Sequence, residues 1–163
     1  MSLTAYLIFF IILFISQLTF VPLFSIKNFT PDVLLIGVIS FALQQGQFRA
    51  IIVGFLVGLF YDYFGTNLIG LSALSKALAG FVAGFWVKEH IEKKFGLYLA
   101  LVFFTIILHD IVFYGILSIS TNLSFLQTFF KVVIPGSIYT FFILILLHLT
   151  WPRLIWGTKT RFE

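Results

Sequence analysis

Apolar residues in this chain form long runs that are separated by short polar connections. A helix needs about 20 mostly apolar residues to cross the roughly 30 Å hydrocarbon core of a bilayer. Four segments have that length, namely residues 3–20, 68–87, 97–118 and 132–149. Two shorter apolar runs, at 33–43 and 50–61, flank the polar sequence QQGQFR.

The two shorter runs allow two interpretations. They form either a hairpin of two short spanning helices, which gives six spans, or one re-entrant element, which gives four. We favour six spans in a single domain covering residues 1–163. The predicted fold is an all-α integral membrane protein, a compact bundle of six transmembrane helices. The predicted spans are about 3–20, 31–45, 48–63, 68–87, 97–118 and 131–150.

Composition supports a membrane protein. Hydrophobic residues make up 61% of the 163 residues and charged residues only 10%, with a mean hydropathy of +1.13. Soluble domains have about a quarter of their residues charged. The polar connections are too short to add a soluble domain, and the absence of cysteine excludes disulfides, thiolate metal sites and cysteine nucleophiles.

The basic residues predict the orientation, because cytoplasmic loops collect lysine and arginine. With six spans, seven basic residues lie on the side of the N-terminus and two on the opposite side. The seven are Arg49, Lys88, Lys93, Lys94, Arg153, Lys159 and Arg161. The two are Lys27 and Lys131. We therefore expect both termini in the cytoplasm.

Small residues recur every three or four positions in two of the predicted spans. In the span 68–87 they form a stripe on one helix face: Gly70, Ala73, Ala77, Gly80 and Gly84. Gly54 and Gly58 form a shorter stripe in the preceding span. Small faces let helix backbones approach closely within a membrane. We expect the two stripes to pack on each other; the alternative is that one receives a helix of a partner protein.

Ionisable residues inside the spans are predicted to share one depth. A rise of about 1.5 Å per residue places Asp32, Asp62, Lys76 and Asp110 roughly 18–21 Å from the cytoplasmic boundary, with His109 at the same level. A lone charge at a helix centre costs about 2.5–3.5 kcal/mol. We therefore expect a buried polar layer of Asp62, Lys76, His109 and Asp110, in which Lys76 pairs with Asp110.

Two of these acids have a competing explanation. Asp32 follows Pro31 and is predicted to cap the N-terminus of its helix, where the helix dipole favours an anion. Asp62 belongs either to the polar layer or to the outer membrane interface. For Lys76, a structural ion pair is favoured over a role in transport or catalysis.

Motifs for enzymatic chemistry are missing from the sequence. It contains no phosphate-binding loop, no H-E-x-x-H and no G-x-S-x-G. No two histidines share a helix at metal-ligand spacing. Pro135 and Gly136 are predicted to open and bend the last span. We expect neither an enzyme nor a cofactor, and no nucleic-acid partner.

Three sequences suggest a family. PDVLLIG, GFLVGLFYD and GTNLIGLSAL, in this order and followed by a small-residue span, resemble the rod shape-determining protein MreD family. The resemblance covers roughly residues 31–84. The family motif maps onto Pro31, Asp32, Gly54, Gly58, Asp62, Gly70 and Leu71.

The resemblance implies a non-enzymatic scaffold in the bacterial inner membrane. Members of the family bind the single-span protein MreC. With it they connect cytoplasmic MreB filaments to the glycan polymerase RodA and its class B penicillin-binding transpeptidase. The implied role is maintenance of cell shape and lateral peptidoglycan synthesis by the elongation machinery.

Two other functions are possible. The family is also similar in architecture to the S components of energy-coupling-factor vitamin transporters, in which case the polar layer would line an outward-facing pocket for a small molecule. A third hypothesis is a membrane enzyme that uses Asp62, His109 and Asp110.

Overall fold

The computed structural model describes residues 3–25, 30–65, 68–90, 95–120 and 124–150. These residues form helices and contain no strand. We number the helices α1 (Leu3–Thr19), α2 (Val33–Gln45), α3 (Gln47–Gly65), α4 (Leu71–His90), α5 (Phe95–Ser120) and α6 (125–150). A short 3₁₀ helix, Val21–Phe24, follows α1.

The helices differ in their ability to cross a bilayer. Within the described residues, three helical segments are long and apolar enough: Gln47–Gly65, Gly96–Ile119 and Phe125–Leu147. Thr4–Thr19, Val33–Gln45 and Leu71–Phe85 are apolar but shorter. The all-helical membrane character expected from the sequence is confirmed. Six crossings, and similarity to the S components, stay predictions.

The polar sequence QQGQFR joins two separate helices. Helix α2 has 13 residues and α3 has 19, and Gly46 alone separates them. Gly46 has a φ of +83°, a conformation that glycine adopts without the steric cost of a side chain. The chain can therefore reverse direction within one residue.

Helix α2 lies at the centre of the bundle. Every residue from Leu34 to Ala42 is buried, and α2 contacts α1, α3, α4 and α6. Leu35 and Ile39 of α2 belong to the apolar core together with Ile106 of α5 and Leu144 of α6. A helix that is apolar on all sides is stable in such a position because neighbours surround it.

Helix α6 contains an irregular turn next to its proline. Phe125–Thr128 and Ile134–Thr150 are α-helical, and Phe129–Val133 between them is a π-helical turn. The N–H of Ile134 bonds to the carbonyl of Phe129, five residues earlier. Pro135 cannot donate to the carbonyl four residues before it, and a wider turn relieves the clash of its ring with that carbonyl.

The predicted orientation depends on residues that the structure does not describe. Lys27, Lys93, Lys94, Arg153, Lys159 and Arg161 lie outside the described residues. Location of both termini in the cytoplasm therefore stays a prediction.

Candidate functional site: a buried charged cluster

Asp32 occupies the N-cap of α2. Its backbone is extended (φ −92°, ψ 90°), and its Oδ1 accepts a hydrogen bond from the N–H of Leu35 at 2.8 Å. A capping carboxylate satisfies one of the free N–H groups of the first turn. The predicted cap is confirmed.

The second carboxylate oxygen of Asp32 forms an ion pair with Lys76. The Nζ of Lys76 donates to Oδ2 at 2.6 Å, and Lys76 is only 1% exposed. The same Nζ lies 5.2 Å from the centre of the Tyr61 ring, within cation–π range. The predicted pair of Lys76 with Asp110 is wrong, because the cap leaves Oδ2 of Asp32 directed at Lys76.

Asp110 contacts His109 and Ser137 instead. Its Oδ1 lies 2.9 Å from Nδ1 of His109, and its Oδ2 accepts a hydrogen bond from Oγ of Ser137 at 2.6 Å. The other ring nitrogen of His109, Nε2, lies 3.9 Å from Oδ2 of Asp32 and has no hydrogen-bond partner among the described residues. His109 is 3% exposed.

A small cavity lies among these groups. Its volume is about 70 Å³, and its polar lining includes Asp32, Lys76, His109, Asp110, Tyr114 and Thr140. These residues come from the start of α2 and from α4, α5 and α6. We call Asp32, Lys76, His109 and Asp110 the charged cluster.

Asp62 is buried at a different place. It is 0% exposed, and its carboxylate accepts the N–H groups of Gly70 at 2.8 Å, Ser72 at 3.0 Å and Ala73 at 3.2 Å. Asp62 therefore binds the N-terminus of α4 and does not line the cavity. The short connection between α3 and α4 brings the end of one helix beside the free N–H groups of the next.

Other polar side chains that sequence reasoning missed complete the start of α2. Gln17 accepts the N–H of Val33 at 2.8 Å and donates to the carbonyl of Pro31 at 3.3 Å. Thr140 accepts the N–H of Asp32 at 3.3 Å. A glutamine within the apolar run of α1 was the available signal, since buried polar groups in a bundle normally find partners.

The two small-residue stripes pack against each other. A Cβ added to Gly54 would lie 2.5 Å from the carbonyl oxygen of Lys76, and one added to Gly80 would lie 2.6 Å from that of Ala50. Gly58 is equally close to the backbone of Ser72, and Gly84 to that of Gln47. Glycine is therefore required for the approach of α3 to α4.

Among the other stripe residues, Ala73 and Ala77 also meet α3. Atoms of both lie beside the glycine positions of α3. Gly70 does not belong to the stripe, which corrects the prediction. It precedes α4, has a φ of +98°, and an added Cβ would meet nothing within 4 Å. Its spacing fitted the helix only because the sequence does not show where the helix begins.

The remaining family-motif residues take positions at helix ends. Pro31 precedes the cap of α2, and Leu71 is the first residue of α4. The two glycines of α3 and Asp62 contact α4. Their observed contacts are structural.

Comparison with models of protein families shows to which family this chain belongs. The family model of the rod shape-determining protein MreD matches residues 1–155 of the 163. The chain belongs to the MreD family. This confirms the resemblance seen over residues 31–84 and extends it to nearly the whole chain. No curated protein and no solved structure matches the chain.

The family name connects this MreD-family chain with the shape of rod-shaped cells and gives no catalytic activity. The charged cluster agrees with a structural role, since Lys76 and Asp32 neutralise each other. In the described part of the chain, no three His, Asp or Glu residues are placed to hold a metal ion. Nε2 of His109 is buried and has no hydrogen-bond partner among the described residues.

Proposed function

We propose that this protein is a non-enzymatic scaffold of the bacterial elongation machinery. It lies in the inner membrane with both termini in the cytoplasm and supports cell shape and lateral peptidoglycan synthesis. The family match over residues 1–155 is the observation that carries this proposal. The three long apolar helices and the pairing of buried charges within the chain support it.

The first partner we propose is the membrane helix of MreC. The glycine faces of α3 and α4 are occupied by each other, so a partner helix contacts the outside of the bundle. That outside is apolar: Leu7, Ile8, Ile11, Ile12 and Ile15 of α1 are between 52% and 58% exposed. Lipid and partner helix share this surface, and packing contacts drive association between helices in a membrane.

MreB, RodA and a class B penicillin-binding transpeptidase are further partners in this proposal. The predicted cytoplasmic face carries basic residues, which suit either anionic lipid or a filament surface. A scaffold of this kind needs no cofactor and no substrate pocket.

Pocket size weighs against the alternative function as a vitamin-binding S component. Pockets for drug-sized ligands have volumes of about 300–1,000 Å³. The cavity in the charged cluster has about 70 Å³. A larger cavity of about 730 Å³ lies at the α2–α3 connection, which is the predicted cytoplasmic side and not the side of an outward-facing pocket.

A paired experiment tests the scaffold. The gene is deleted in its host, and the tagged chain is expressed and purified from native membranes. We expect rod shape to be lost on deletion and restored by the tagged chain, and MreC to co-purify with it. An unrelated tagged polytopic protein at equal expression serves as the control for non-specific recovery.

The opposite results would overturn the proposal. Cells that remain rods after deletion, or recovery of MreC no greater than in the control, contradict the scaffold. A vitamin that co-purifies and raises the unfolding temperature would support the S-component alternative.

A further inference from the structure

The Nε2 atom of His109 is buried and needs a hydrogen-bond partner that the described residues do not supply. The other ring nitrogen, Nδ1, lies 2.9 Å from Oδ1 of Asp110. A ring nitrogen accepts a hydrogen bond when it is bare and donates one when it carries a hydrogen. In either protonation state, a buried Nε2 without a partner is unfavourable. The partner that suits both states is a group that can donate and accept.

Oδ2 of Asp32 faces Nε2 across a short gap. The two atoms are 3.9 Å apart. A direct N–H···O hydrogen bond has a length of about 2.7–3.2 Å. Two polar atoms more than about 3.5 Å apart can be joined by a bridging water, which is nearly as favourable in enthalpy as a direct bond. A water at about 2.8 Å from both atoms fits the gap. It donates to the carboxylate, and it donates to a bare Nε2 or accepts from a protonated one.

The cavity beside these atoms has the volume and the lining that water requires. A buried water needs about 10–15 Å³ and about two to four polar partners. The cavity has about 70 Å³, which is room for more than one water molecule. Gln17, Tyr114 and Thr140 line it together with Asp32 and His109. Cavities that stay dry are lined by apolar side chains, and this lining is largely polar.

The cavity extends from the surface of the bundle to His109. Thr30, which lines it, is exposed, and the side chain of Asp32 is 22% exposed. Lys76 and His109, which also line it, are only 1% and 3% exposed. Water can therefore enter beside the N-cap of α2 and reach His109 without crossing the apolar core.

We propose that this cavity is a hydration site, in which a water molecule bridges Nε2 of His109 and Oδ2 of Asp32. The bridge connects two contacts between helices. Lys76 with Asp32 links α4 to the start of α2, and Asp110 with Ser137 links α5 to α6. The proposal holds for a neutral and for a charged imidazole, and it does not depend on the scaffold function.

Radiolytic hydroxyl-radical footprinting of the full chain in nanodiscs tests for water in the cavity. Water beside a side chain produces the radical that oxidises it, and mass spectrometry measures the oxidation rate of each residue. Tyr98 is the matched control, because it also lies on α5, is 0% exposed and belongs to the apolar core. We expect His109, although it is only 3% exposed, to be oxidised several-fold faster than Tyr98.

Magnetisation transfer from water to the imidazole nitrogens tests the bridge itself. The chain has three histidines, so the double variant His90→Gln with His148→Gln leaves His109 as the only one. With isotope-labelled histidine, we expect Nε2 to receive magnetisation from water before Nδ1 does, because Nδ1 contacts Asp110. The nitrogen chemical shifts report the protonation state in the same spectra, and the transfer to Nε2 should occur in either state.

Three results would overturn the proposal. They are oxidation of His109 no faster than that of Tyr98, no transfer from water to Nε2, and transfer to Nδ1 before Nε2. Footprinting uses the unaltered chain, so a failure of the histidine variant to fold leaves that test decisive. Neither readout depends on MreC or on cell shape, so the proposal and the scaffold function fail separately.

Discussion

Lys76 is only 1% exposed, although most of the bundle is apolar. Its burial is possible because its ammonium group forms an ion pair with Asp32 at the start of α2. A lone charge at a helix centre costs about 2.5–3.5 kcal/mol. Asp32 supplies the counter-charge while its other oxygen caps α2. One residue therefore fixes both the start of α2 and its contact with α4.

Removing the charge of Lys76 alone should lower the free energy of unfolding more than removing the charges of both Lys76 and Asp32. Lys76→Met leaves the carboxylate of Asp32 without its counter-ion, and we expect a loss of about 3 kcal/mol in the free energy of unfolding. The double variant Lys76→Met with Asp32→Asn keeps a capping oxygen and should recover most of that loss. Unfolding in mixed lipid and detergent micelles measures both. Equal losses in the single and double variants would show that the pair is not the cause.

Asp62 should contribute through the N-terminus of α4. Asp62→Ala removes the acceptor for the N–H groups of Gly70, Ser72 and Ala73, and we expect a loss of about 2 kcal/mol in the free energy of unfolding. Asp62→Asn keeps one acceptor oxygen and should lose less. Hydrogen exchange at the first turn of α4 reports the same effect locally. Unchanged exchange in Asp62→Ala would contradict the capping role.

For individual residues, the sequence predicts that Asp32 caps α2 but does not predict its ion pair with Lys76. Pro31 before Asp32, followed by an apolar run, is a local signal that is visible in the sequence. The partner of Lys76 depends on how each helix is rotated about its axis, and a count of residues from the membrane boundary gives depth only. The contact of His109 with its neighbour Asp110 was missed for a different reason, since adjacent helix positions diverge by roughly 100° and are not expected to face each other.

The contact between α3 and α4 depends on glycine at four positions. Spacing of three and four residues predicts which side chains share a helix face, and Gly54, Gly58, Gly80 and Gly84 do face the neighbouring helix. The boundary of α4 was less predictable, because the positive φ of Gly70 and the cap from Asp62 set it at Leu71. The π-helical turn of α6 had only Pro135 as a signal.

Substitution at this contact should prevent folding although alanine favours helices. Gly58→Ala adds a Cβ against the backbone of Ser72 and Ala73, which cannot move without separating α3 from α4. We expect a large fall in the yield of folded protein and in its unfolding temperature. Gly96→Ala, with open space around its Cβ, is the control and should be neutral or stabilising. Normal yield and unfolding temperature for Gly58→Ala would contradict the close packing.

At the scale of the molecule, the charged cluster is enclosed by the helices, whereas apolar side chains cover much of their outer faces. Asp32, Lys76, His109 and Asp110 meet around one cavity, while the exposed faces of the helices carry leucine, isoleucine and phenylalanine. This distribution is typical of a polytopic bundle in lipid. Composition and hydropathy alone predicted the membrane class. They do not determine how the shorter helices α1, α2 and α4 cross the bilayer.

The central claim is that all six helices cross the membrane, with both termini in the cytoplasm. Because the chain has no cysteine, each introduced cysteine is a unique reporter. Ser25→Cys, Arg49→Cys and Ser124→Cys mark exposed positions after α1, near the α2–α3 connection and before α6. In cells whose inner membrane is intact, an impermeant thiol reagent applied from the periplasm should label the cysteines at 25 and 124 but not the one at 49. Labelling of positions 25 and 49 from the same side would contradict the six-span bundle.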